Sequence, residues 1–292
     1  MKALLEEART KIPNFDAIWD SVKQAIWGNI RKTRPSMTNG FRRWQLPINN
    51  IRVPQVAFYN SMKLFLDLYI APENTNYQDF SDSELNPQMS ISDNGKVDNI
   101  SIRIQVTSSM DNIFKDILPE FYHEITHAFD YYNRLRGGQK QQDLQGKSTY
   151  SVTSLRKIMG NPNLSPLEKN LAFLFYYIDE DEYNARLSTF YGEIQNRDVS
   201  KGNINEIIQQ TRVWKYVTFL YNVVYYMEQV TNPQDQRKLI TIGNIMNDRV
   251  NKTTYSNYKT LLQDITQKYN KLKTDTYNDF VEIVQEYMND SK

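Results

Sequence analysis

The chain has 292 residues, no cysteine, two histidines and a net charge of +1. Without cysteine there is no disulfide, no thiolate zinc site and no thiol nucleophile, and a near-neutral balance gives no global field toward nucleic acid or an acidic membrane. A 40 % share of hydrophobic residues with 24 % charged is ordinary for a globular chain long enough for one large domain or two modest ones.

The start, Met1-Lys2-Ala3-Leu4-Leu5-Glu6-Glu7, lacks the apolar core of a secretory signal, and no run of 18 or more apolar residues follows. The expected location is therefore cytoplasmic, or that of a particle carrying the protein, with no membrane and no nucleic-acid partner. From Asn14 to about Lys32 the spacing of Phe15, Ile18, Trp19, Val22, Ala25 and Ile26 predicts a helix, with Asn14 a candidate N-cap. The basic stretch Arg31, Lys32, Arg34, Arg42 and Arg43 is read as a solvated loop.

Residues 44–107 change to short strands. Trp44–Ile48, Val53–Tyr59 and Leu64–Ile70 are β-rich runs, 74–87 reads as a polar loop, and Asp93-Asn94-Gly95 is a turn signal. Ile100, Ile102, Ile104 and Val106 alternate with Ser101, Arg103 and Gln105, which predicts a half-buried, antiparallel strand. A helix is expected from Met110 to about Tyr132, then a break over 134–164 with a short helix near 152–159. Further helices are expected at about 165–178, 180–196, 204–230, 234–250 and 255–289. In the last, Tyr258, Leu262, Ile265, Tyr269, Leu272 and Phe280 fall near heptad spacing, and packing onto the chain's own helices is the expected use of that face. The fold class is α+β: a small, mostly antiparallel sheet, an active-site helix, then a mainly helical second half. The expected division is an N-terminal helical segment (1–40), a core (41–200) and a C-terminal helical region (201–292).

Both histidines lie in one pattern, His123-Glu124-Ile125-Thr126-His127. Residues four apart share a helix face, so the two imidazoles can reach one ion at about 2.0–2.1 Å. Glu124 is not a ligand in such a pattern; it is placed to take the proton of a water made acidic by zinc and to deliver it to the leaving nitrogen. Chance placement of two histidines with this spacing and this glutamate arises roughly once in two thousand chains or less.

Catalytic zinc takes three protein ligands, and with no third histidine the remaining one is a carboxylate. Glu182 in Asp179-Glu180-Asp181-Glu182-Tyr183-Asn184-Ala185-Arg186 is the favoured candidate, because Ala185 would let its helix approach the metal helix. Asp179, Glu180 and Asp181 stay open as alternatives, and Asp179 with Glu182 also reads as a capping box. Asp130, three residues after His127, is a candidate to orient a ligand imidazole or a plain surface acid. Arg186 is a candidate to pair with an acid near the metal or to stabilise developing negative charge.

The segment from His123 to Tyr131, followed by Glu182-Tyr183-Asn184-Ala185-Arg186, resembles the gluzincin branch of HExxH metallopeptidases, and His-Glu-x-x-His-x-x-Asp also resembles lethal-factor-type catalytic domains and some phage-encoded peptidases. The resemblance spans about 75 residues, from Phe121 to roughly Gly192, plus the preceding strand. It implies a zincin-like fold, one zinc per chain held by His123, His127 and Glu182, and a peptide or protein substrate. It also implies that the strand Ile100–Thr107, through Ser101, Arg103 and Gln105, is an edge to which an extended substrate adds. The competing expectations are a virion-associated or other interaction protein with a silent or processing-only zincin domain, and a non-proteolytic toxin or effector that docks a protein partner through its C-terminal helices, 204–292.

Overall fold

The computed structural model describes residues 15–49, 62–71, 81–86, 100–136, 155, 157–195, 202–247 and 254–290. In chain order these form α1 (Phe15–Lys32), β1 (Ser36–Thr38), β2 (Phe41–Asn49), β3 (Met62–Ile70), β4 (Ser81–Asn86), β5 (Ile100–Ser108), α2 (Ile113–Arg136), α3 (Pro166–Tyr177), α4 (Glu180–Gln195), α5 (Ile204–Gln210), α6 (Arg212–Glu228), α7 (Pro233–Asn247) and α8 (Tyr258–Asp290). The fold is α+β, with a mixed sheet in the first half and helices thereafter. Contacts divide it into two units, Met1–Gly137 with Ser188–Asp198, and Gly138–Leu187 with Val199–Lys292.

In the first unit the strand order is β1-β2-β3-β5-β4. Alternation fixes what each strand buries. Trp44 and branched aliphatic side chains line up in rows across three strands: Trp44, Leu68 and Val106; Leu46, Leu66 and Ile104; Ile48, Leu64 and Ile102. All nine are buried. The intervening positions carry Gln45, Asp67 and Gln105 in one row, and Arg43 donates to Asp67 at 2.5 and 2.7 Å. Arg43 is thus paired, while Arg31, Lys32, Arg34 and Arg42 are exposed. Pro47 falls where β2 is no longer covered by the three-residue β1, so its missing N–H is tolerated.

Two expectations for the sheet are corrected. The segment 74–87 is not all loop, because Ser81–Asn86 forms β4. The strand Ile100–Ser108 is neither an edge nor purely antiparallel: it runs parallel to β3 and antiparallel to β4. After β3 the chain passes one strand-width outward to lay down β4, then returns as β5 in the gap. Val53–Tyr59, the Asp93–Gly95 turn and Asn14 lie outside the described residues.

Helix α2 packs against β4 and β5, and α1 against β2. Aromatic contacts bind these two helices: Phe15 stacks on Tyr122 with centroids 3.7 Å apart, and Trp19 meets Phe121 and Phe114. The position of the helix carrying the histidines is therefore set by a close-packed aromatic layer.

In the second unit, Ser165 and Glu168 form a capping box at the start of α3, with Pro166 in the first turn. The helix expected over 204–230 is two helices. Thr211 has extended backbone (φ −74°, ψ 147°), ends α5 and caps α6 by accepting from the Trp214 N–H. Helix α8 packs on α5, α6 and α7. Its buried face is Leu261, Ile265, Tyr269, Leu272, Phe280, Ile283 and Val284, with Leu261 rather than Leu262 at the core. No helix among the described residues is long and apolar enough to cross a membrane.

Candidate metal centre

His123 and His127 sit in mid-helix on α2, past Pro119 and well inside both ends. Their rings meet at 82° with Nε2 atoms 3.2 Å apart. Two nitrogens bound tetrahedrally at zinc distances stand roughly 3.3 Å apart, so the pair needs little adjustment to share one ion. Glu124 between them is buried at 3 % exposure, whereas both histidines are half-buried.

The second half of α4 belongs to the same unit and runs against α2. Thr126 Oγ1 donates to the Tyr122 carbonyl at 2.8 Å and lies 3.0 Å from Ser188 Oγ, whose own hydroxyl can donate to it. Thr189 Oγ1 lies 3.1 Å from His123 Nδ1. Tyr191 meets Tyr122 edge-on at 5.6 Å. Gly192 faces Pro119 and Tyr122, where a Cβ would come within 3.0 and 2.9 Å. Small and hydroxyl-bearing residues at 188, 189 and 192 thus form the helix face that allows this approach.

Glu182 is carried by the same continuous helix, two turns before Thr189 and so on nearly the same face. One carboxylate oxygen of Glu182 and one ring nitrogen from each histidine lie within 4.8 Å of one another. Glu182 is buried at 7 % exposure. Among the described residues this is the carboxylate that meets the histidines; the side chains of Glu180 and Asp181 lie outside them. Two imidazoles and a carboxylate suit zinc in kind and number.

Arg186 is four residues on from Glu182, with Nη2 3.6 Å from Glu182 Oε2. Its Nη1 donates to the Tyr177 carbonyl, and its guanidinium lies 3.1 Å from the centre of the Tyr177 ring. The contacts with Tyr177 keep the guanidinium beside Glu182. Next to Glu182, Tyr183 donates to Asp279 of α8, and burial together with that carboxylate pushes the phenol above its ordinary range. Both contacts lie in the second unit.

The remaining candidates are placed less directly. Asp130 is in α2, one turn after His127, and its side chain lies outside the described residues. The side chain of Ser101 does too. Arg103 pairs in register with Phe65 and Glu84, and Gln105 with Asp67 and Asp82, so both backbone edges of β5 are taken. A peptide strand cannot add there. The residues missed from sequence are Thr126, Ser188, Thr189 and Gly192; their one signal is the i, i+4, i+7 run of small or hydroxyl side chains Ala185, Thr189 and Gly192. No family model, curated protein or solved structure matches the chain.

Proposed function

We propose that the chain is a zinc-dependent peptidase of the gluzincin kind, with His123, His127 and Glu182 as metal ligands and Glu124 as the acid–base group. The observation that carries the reading is the convergence of two imidazoles and one buried carboxylate on a single small volume, beside a second buried carboxylate that follows the first histidine. A zinc ion held there supplies Lewis acidity, polarising a carbonyl and making water acidic enough to lose a proton near neutral pH.

The residues divide the rest of the work. Glu124 takes the proton from the attacking water and gives it to the amine as the peptide bond breaks. Arg186, with Nη2 3.6 Å from Glu182 Oε2, sets a positive charge beside that carboxylate. Strand β4, outermost among the described strands and packed beside α2, has the backbone edge that β5 lacks; an extended peptide would add there.

A second reading, an interaction protein with a silent site, is favoured by one observation. Tyr216, Phe219, Tyr221, Tyr225 and Tyr226 are all exposed on α6, more aromatic surface than one helix ordinarily leaves open. Metal analysis with a peptide-library digest separates the two. The peptidase reading expects one zinc per chain and cleavage that is absent in Glu124→Gln. Bound zinc with no cleavage by the wild type supports the silent site.

A further inference from the structure

We propose that Thr189 is a positioning residue for the metal centre, its hydroxyl fixing the His123 ring so that Nε2 is left to the cation; this rests on the zinc reading above. A neutral imidazole offers one bare nitrogen and one N–H. The nitrogen that binds a metal is decided by what holds the other. His123 Nδ1 is 3.1 Å from Thr189 Oγ1, while Nε2 points to His127 Nε2. With Nδ1 protonated and donating to the hydroxyl, the lone pair of His123 is on Nε2, 3.2 Å from His127 Nε2, and a Glu182 carboxylate oxygen lies within 4.8 Å of a ring nitrogen of each.

Several features hold the hydroxyl there. Thr189 is 8 % exposed in the middle of α4, where a β-branched side chain has few rotamers. The preceding residue, Ser188, is bonded to Thr126, whose hydroxyl is in turn bonded to the backbone of α2. One turn later, Gly192 keeps the helices in contact. Thr189 sits seven residues from Glu182, so α4 carries both a ligand and the partner that aims another ligand. Its chemistry is that of a neutral acceptor rather than a carboxylate, and it orients the ring without adding charge.

The test is zinc affinity of the full chain, read by competition with a chromogenic chelator, for wild type, Thr189→Val and Thr189→Ser, together with the Tm of each metal-free protein. Expected are a 10–100-fold weaker affinity in Thr189→Val, an affinity near wild type in Thr189→Ser, and similar metal-free Tm values. Where Thr189→Val does not fold, Thr189→Ala takes its place. Equal affinities of wild type and Thr189→Val overturn the proposal and leave the zinc reading standing. An equal loss in Thr189→Ser also overturns it, assigning the effect to packing. A wild type that binds no zinc overturns both.

Discussion

Gly192 and Tyr122 stand so close that a methyl group on the first would lie 2.9 Å from Cδ2 of the second. Tyr122 immediately precedes His123, and Gly192 lies one turn beyond Thr189. The contact therefore sets how near α4 comes to the metal helix. Gly192→Ala is expected to cost about 1–3 kcal/mol through overpacking and to weaken zinc binding, because separating the helices moves Thr189 from His123. Chemical denaturation and chelator competition on the same preparation check both effects.

On the proposed reading, zinc would bind the folded chain through groups that come together only on folding, so saturating metal should raise stability. At a hundred times Kd the gain is about 2.7 kcal/mol. Thermal unfolding with and without zinc should show this gain in the wild type. It should be lost in His123→Ala and His127→Ala and reduced in Glu182→Gln, where the ligand keeps its shape and loses its charge.

Glu124→Gln separates binding from chemistry. Its amide cannot accept the water proton, and the residue is not among the three proposed ligands. Zinc content and Tm should stay near wild type while peptide hydrolysis falls by at least about 10²–10⁴-fold, measured on one defined peptide under saturating zinc.

The second unit should be sensitive to alkali. Burial pushes the Tyr258 phenol up to about 12, and its O–H donates to the Met227 carbonyl at 2.6 Å. Tyr255, donating to Asp264 at 2.5 Å, is also raised, by burial first and the carboxylate second. A phenol whose folded pKa is raised binds its proton more tightly when folded. The stability it contributes is therefore complete below about pH 10 and is lost as pH rises through the folded value. Denaturant midpoints followed from pH 9 to about 12 should fall. Tyr258→Phe should start about 1 kcal/mol lower from the lost hydrogen bond and decline less steeply.

Much of this architecture is legible along the chain, and the rest is hidden for definite reasons. The His123–His127 spacing and the alternation of Ile100 to Val106 are periodic signals, and a helix and a strand form there, though the strand's neighbours and direction differ from those expected. Strand β4 reads Ser-Asp-Ser-Glu-Leu-Asn, a polar run with no apolar alternation, held by backbone pairing to β5. The direction of β5 follows from where β4 is laid down, which no local pattern records. The break at Thr211 has no proline or glycine to mark it, and apolar residues continue across it at Ile207, Ile208, Val213 and Trp214. Thr189 is invisible for another reason: a hydroxyl acquires its meaning from the ring it meets, 66 positions earlier.

On the proposed reading, His123, His127 and Glu182 hold one zinc ion. Anomalous diffraction at the zinc edge, from crystals grown with the metal, tests it most directly. The predicted result is one strong peak per chain, about 2.0–2.2 Å from Nε2 of each histidine and from a Glu182 carboxylate oxygen. A peak that leaves Glu182 uncoordinated, or none between the two rings, would contradict it.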